Sequence, residues 1–103
     1  MDQQTLFVII LRYLVPLETI LTQREEHLKF LDKYYAKGVF QASGPQIPRA
    51  GGIILAKADS RDELKSILEE DPFHLQKSAE YQIFEFVINK ESNPFSQFRE
   101  EIF

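Results

Sequence analysis

The sequence predicts an α+β domain in which two helices cover one face of a four-stranded antiparallel sheet, and three observations predict it. Residues 6–11 are a continuous apolar run without Gly or Pro, the pattern of a strand covered on both faces. Two stretches with apolar residues at helical spacing each follow a Ser/Thr-x-x-Glu tetrad, the signature of a capping box. The other apolar segments fall so that the elements read strand, helix, strand, strand, helix, strand. That order, β-α-β-β-α-β, is the ferredoxin-like arrangement.

Residues 5–13 form the first predicted strand, and Pro16 and Leu17 lead into a connection. Thr22-Gln23-Arg24-Glu25 then reads as a helix start, with Leu28, Leu31 and Tyr35 on one face and Gly38 placed to end the helix in a left-handed conformation. Residues 39–43 are a short strand, and Gly44-Pro45 through Pro48-Arg49 a loop. Residues 52–58 are the third strand, where Gly51 and Gly52 suit a close backbone approach. Ser60-Arg61-Asp62-Glu63 opens a second helix through Leu64, Ile67 and Leu68. It is expected to stop near Asp71, because Pro72 disfavours a helical residue before it. Residues 81–88 are the last strand. The domain so defined spans residues 1–90, and residues 91–103 are a tail in which Asn93-Pro94 opens a short helix with Phe95, Phe98 and Ile102 on one face.

With both helices on one face, the other face of the sheet is bare. Phe7, Ile9 and Leu11 alternate with Leu6, Val8 and Ile10, so whichever set meets the helices, an apolar set remains. A chain of 103 residues has little material for a second cover, and a second copy of itself supplies one. A homodimer through the open sheet face is therefore expected.

Composition is that of an ordinary folded domain, 44% hydrophobic and 27% charged. Nine Phe and four Tyr supply the large apolar side chains, with no Trp. The formal charge is -4 and the basic residues are scattered, which argues against a nucleic-acid partner, since that needs concentrated positive potential. The absence of Cys excludes disulfides, thiolate metal sites and a cysteine nucleophile in this chain and fits a reducing compartment. Met1-Asp2-Gln3-Gln4 carries no positive charge and Arg12 interrupts the apolar start, so neither a signal peptide nor a membrane span is expected. A cytoplasmic location is the default.

Several short signatures occur together and in order: Arg24-Glu25-Glu26-His27-Leu28 with Leu31, Ser43-Gly44-Pro45, Gly51-Gly52, and Asp71-Pro72-Phe73 before the last strand. In their order and separation they resemble the YciI-like (YCII-related) family, over residues 5 to about 90. The resemblance implies a dimeric α/β-barrel of ferredoxin-like subunits and a site holding a His and an Asp, which by position are His27 and Asp71. It also implies, for some members, elimination or isomerisation of small aromatic-derived compounds.

The chemistry of such a pair follows from its groups. A neutral imidazole accepts a proton near neutral pH, while a carboxylate on its other nitrogen sets the tautomer and stabilises the cation that forms. Proton abstraction beside a carbonyl also needs a partner for the developing oxyanion. Ser43, Arg12, Arg49 and the amides near Gly51 and Gly52 are candidates, and Tyr13, Tyr34, Tyr35 and Tyr81 can present hydroxyls to a ligand. No cofactor is needed for this chemistry, and nothing in the spacing of His27, His74 and Asp71 favours a metal.

Two alternatives stand at this point. One is a cofactor-independent lyase or isomerase with His27 as base, Asp71 as its orienting partner, and Ser43, Arg12, Arg49 and Tyr81 toward the substrate. The other is a non-catalytic dimer that binds a small metabolite or a protein partner through the same pocket. His27 at the edge of an apolar helix face and Asp71 before a proline have ordinary structural uses as well. Placed on two parallel helices, His27 one turn into the first and Asp71 at the end of the second, they are offset by roughly 8 Å along the axes, so direct contact does not follow from the sequence.

Overall fold

The computed structural model describes residues 5–103. Met1-Asp2-Gln3-Gln4, on which the expectation about a signal peptide partly rests, lie outside the described residues. The elements are β1 (Thr5–Tyr13), α1 (Leu17–Ala36), β2 (Phe40–Pro45), β3 (Gly51–Ala56), α2 (Arg61–Leu68), a one-turn α3 (Pro72–Leu75), β4 (Ala79–Val87) and α4 (Asn93–Ile102). The sheet order is β2-β3-β1-β4 with every pair antiparallel, so the ferredoxin-like arrangement expected from the sequence is the one observed.

The most apolar strand takes an interior position. Phe7, Ile9 and Leu11 of β1 are buried in one cluster with Ile20, Phe30 and Leu31 of α1, Leu64 and Leu68 of α2, and Phe73 of α3. The alternate set meets the other face, where Leu6 is buried outside that cluster and Val8 and Ile10 are half-buried. Their register partners there include Ile53, Phe84 and Phe86, which are 40%, 50% and 47% exposed. The second face thus carries exposed apolar surface, as the uninterrupted apolar run of β1 implies. α4 ends against this side at the end of β3: Lys57 donates to the Ile102 carbonyl and lies 5.7 Å from the centre of the Phe103 ring.

Several boundaries differ from the sequence reading. α1 begins at Leu17, about a turn and a half before the predicted start. Pro16, with φ -60°, holds the N-cap position, and its carbonyl accepts from Thr19 and Ile20. Thr22 is not a cap, because its hydroxyl donates to the Thr19 carbonyl inside the helix at 2.6 Å. Ser60 does cap α2, accepting from the Glu63 amide at 3.1 Å, while the Glu63 carboxylate reaches back to the Asp59 amide at 3.2 Å. α2 stops at Leu68, and the chain then makes the separate turn α3. Gly38 ends α1 at φ +76° as expected. Gly51 meets the requirement for close approach, since a Cβ there would fall 1.7 Å from the Leu11 carbonyl oxygen.

Candidate functional site

Asp71 stands just before Pro72, and proline restricts the preceding residue to extended backbone. Asp71 accordingly has ψ 129° and becomes the N-cap of α3, its Oδ1 accepting from the Phe73 amide at 3.0 Å. The same oxygen faces His27 Nδ1 at 2.9 Å. The other oxygen, Oδ2, accepts from the Tyr81 hydroxyl on β4 at 2.5 Å. The side chain is 0% exposed, so all its hydrogen bonding is internal. A buried carboxylate without such partners would be strongly unfavourable.

The α3 turn brings the pair together. His27 is nearly three turns into α1, whose true start is Leu17, and Asp71 is folded inward at the α3 cap instead of standing at the far end of α2. The axial separation expected from two simple helices therefore does not apply, and the contact is direct. Phe73 stacks on the imidazole with ring centroids 4.1 Å apart and an interplanar angle of 14°. Ring stacking and the carboxylate together set the orientation of His27. Because a carboxylate only accepts, a neutral imidazole that donates to it has its proton on Nδ1 and its lone pair on Nε2. Among the described residues Nε2 has no hydrogen-bond partner.

His27 lines a cavity of about 290 Å³ between α1, β1 and the β2–β3 region. Leu11, Ile20, Leu28, Leu31 and Ile54 supply much of the apolar wall, and Tyr13, Ser43, Arg24 and Arg49 its other polar groups. Ser43 Oγ is 2.6 Å from the Tyr35 hydroxyl. Tyr81 lies behind Asp71 and not on this cavity; it borders a separate groove with Lys65, His74 and Lys77. Burial first, then the negative charge of Asp71 and the hydrogen bond to it, push the Tyr81 phenol far above its ordinary value. It therefore remains a donor to the carboxylate.

The sequence of residues 6–87 matches the YCII-related domain family. The chain belongs to that family. The matched segment runs from β1 through β4 and includes His27, Asp71 and Tyr81. Among solved structures, this YCII-related chain is similar to 5-chloro-2-hydroxyhydroquinone dehydrochlorinase (TftG) from Burkholderia phenoliruptrix AC1100, determined in complex with 2,5-dihydroxybenzoquinone. The TM-score is 0.62 at 24% identity, over 87% of this chain and 97% of that one. At that identity the likeness speaks for the fold. Comparison with curated proteins gave no match.

Of the residues singled out from sequence, His27, Ser43 and Arg49 meet on the cavity and Asp71 seals its back through His27. Tyr81 contacts Asp71 and is not placed to touch a molecule in the cavity. Arg12 is elsewhere, pairing with Glu80 on the neighbouring strand, because its side chain follows the β1 alternation away from the helices. His74 lies beside the Tyr81 ring, outside the cavity. Arg24 escaped the residue-by-residue reading, although it lies three positions before His27 and so shares its helix side. No helix among the described residues is long and apolar enough to cross a membrane. None of their His, Asp and Glu groups is arranged to hold a metal ion.

Proposed function

We propose that this YCII-related chain is a cofactor-independent lyase or isomerase acting on a small cyclic or aromatic-derived compound, with His27 as the general base. The observation that carries this reading is the His27–Asp71 pair, 2.9 Å apart through Nδ1, on a ring that lines a largely apolar cavity and has no other hydrogen-bond partner among the described residues. The volume, about 290 Å³, suits a single ring. The activity in the name of the Burkholderia structure, a dehydrochlorination, is chemistry of this class.

In the proposed reaction the substrate reacts as the keto tautomer in which the carbon bearing the leaving group is saturated. Nε2 takes a proton from the neighbouring carbon or from a conjugated hydroxyl, the electron pair left behind forms the new double bond, and the leaving group departs with its bonding pair as an anion. The imidazolium formed is stabilised by Asp71, which is itself held by Tyr81 and the Phe73 amide. Ser43 and Arg49, which line the same cavity, are the proposed partners of the developing oxyanion. The burial of Asp71 strengthens its hold on the imidazolium by excluding water from the pair.

The direct test is chloride release from 5-chloro-2-hydroxyhydroquinone and turnover of a panel of related cyclic carbonyl compounds. Removing a positioned base costs about 10²–10⁴ in rate, so His27→Ala is expected to lose turnover by that factor while still folding, with circular dichroism as the check. Undiminished turnover in folded His27→Ala would overturn the assignment. Ligand binding without turnover by the wild type would favour a non-catalytic binding module.

We further propose that the exposed apolar sheet face is covered by a second copy of the chain. Light scattering at micromolar concentration should give twice the chain mass, and Phe84→Glu should halve it, since a carboxylate cannot be buried there unpaired. A monomeric wild type would contradict this.

A further inference from the structure

The cavity's charge is opposite in sign to that of the chain. The formal net charge is -4, yet the lining holds Arg24 and Arg49 and no Asp or Glu. The nearest carboxylate, Asp71, is fully buried and lies behind His27. Arg24 comes from α1, one turn before His27, and Arg49 from the β2–β3 connection, so two elements of different origin bring cations to one space.

Both guanidinium groups are uncommitted. Among the described residues neither Arg24 nor Arg49 has a side-chain hydrogen bond or an ion pair. The remaining arginines are all engaged: Arg12 with Glu80, Arg61 with the Ile83 carbonyl and Arg99 with Glu91. In an acidic chain, the arginines left free are the two on the cavity. A guanidinium presents a planar fork of donors that matches a carboxylate or a pair of ring oxygens.

We infer that Arg24 and Arg49 select a substrate that is itself anionic, a small planar ring bearing a carboxylate, enolate or phenolate oxygen, and hold its charged edge while His27 faces the ring. This rests on the lyase reading for the role of His27 but not for the charge preference, which belongs to the arginines alone. Two cations are what an anion needs here, because the buried Asp71 carboxylate lies just beyond the imidazole and repels it. Apolar walls from Leu11, Leu28 and Phe73 suit the faces of the ring. Both arginines are exposed, so solvent screens them and the effect is a moderate discrimination.

Benzoate and benzamide, rings of nearly equal size that differ in charge, are the probes. Their binding is followed at pH 7 by calorimetry and by amide shifts of the cavity residues. Benzoate is expected to bind about tenfold or more tightly than benzamide, in line with one or two exposed charge-assisted contacts. Arg24→Gln and Arg49→Gln should each reduce that ratio severalfold, their combination should abolish it, and Arg24→Lys should restore part of it. Raising the salt concentration should weaken benzoate alone. Equal affinities, a preference that survives the double substitution, or no benzoate binding up to about 10 mM would each overturn the inference. His27→Ala separates the two readings, because it should abolish turnover and keep the benzoate preference.

Discussion

Glu70 and Asp71 are neighbours on one turn, and each ties that turn to α1 through similar chemistry. Glu70 takes a lysine and a tyrosine of the helix, Lys33 at 2.8 Å and the Tyr34 hydroxyl. Asp71 takes His27 of the helix and Tyr81 of the sheet. The difference is their surroundings: Glu70 is 44% exposed and Asp71 0%. A carboxylate, a phenol and a nitrogen base make a surface tie in one case. In the other, with water excluded and a cavity beside the imidazole, they orient the ring that we propose acts as a base.

Substitutions that treat the neighbours alike should separate them. Asp71→Ala leaves the Tyr81 hydroxyl, the Phe73 amide and His27 Nδ1 without their buried acceptor and is expected to cost about 3 kcal/mol in urea unfolding. Glu70→Ala, whose contacts are exposed and screened, should cost under about 1 kcal/mol. Equal losses would remove the distinction between them.

A smaller effect is expected from the two tyrosines. Tyr81→Phe frees one oxygen of Asp71 without altering the cavity wall, so kcat should fall by about tenfold, in the range of a lost charge-assisted hydrogen bond, with KM unchanged. Tyr34→Phe should change neither. A rise in KM for Tyr81→Phe would instead place that hydroxyl against the substrate.

The smallest effect concerns acid. Hydrogen bonds from Lys33, then from Tyr34, hold the Glu70 carboxyl below its ordinary value. A carboxyl whose pKa is lowered on folding contributes stability above its unfolded value, and loses that contribution as pH falls through the folded one. The stability gap between wild type and Glu70→Gln should therefore be open at pH 7 and close in acid, below the ordinary carboxylate range. A gap that widened in acid would contradict the assigned direction.

The order of elements and the two-sided character of β1 were legible because they rest on local pattern: a continuous apolar run, apolar residues at helical spacing, a serine cap at Ser60, a glycine at φ +76°. The start of α1 was not, because Thr22 imitates a cap while Pro16 takes the position. The direct His27–Asp71 contact was also hidden. It depends on the one-turn α3, too short to carry a periodic signal, and on the extended backbone that Pro72 imposes on Asp71. Tyr81 was recognised as a hydroxyl but assigned to the substrate, since only the β1–β4 register sets it behind the carboxylate. Arg24 was visible only as part of a motif, because only the fold brings it to the cavity wall without an ion pair of its own.

The measurement that tests the central claim most directly is a long-range proton–nitrogen NMR spectrum of the two imidazoles in the uncomplexed protein, above neutral pH. His27 is predicted to carry its proton on Nδ1, donated to Asp71, and to leave Nε2 bare toward the cavity, with His74 as internal reference. A His27 protonated on Nε2 would mean that the ring does not donate to the carboxylate, and would contradict its role as a positioned base.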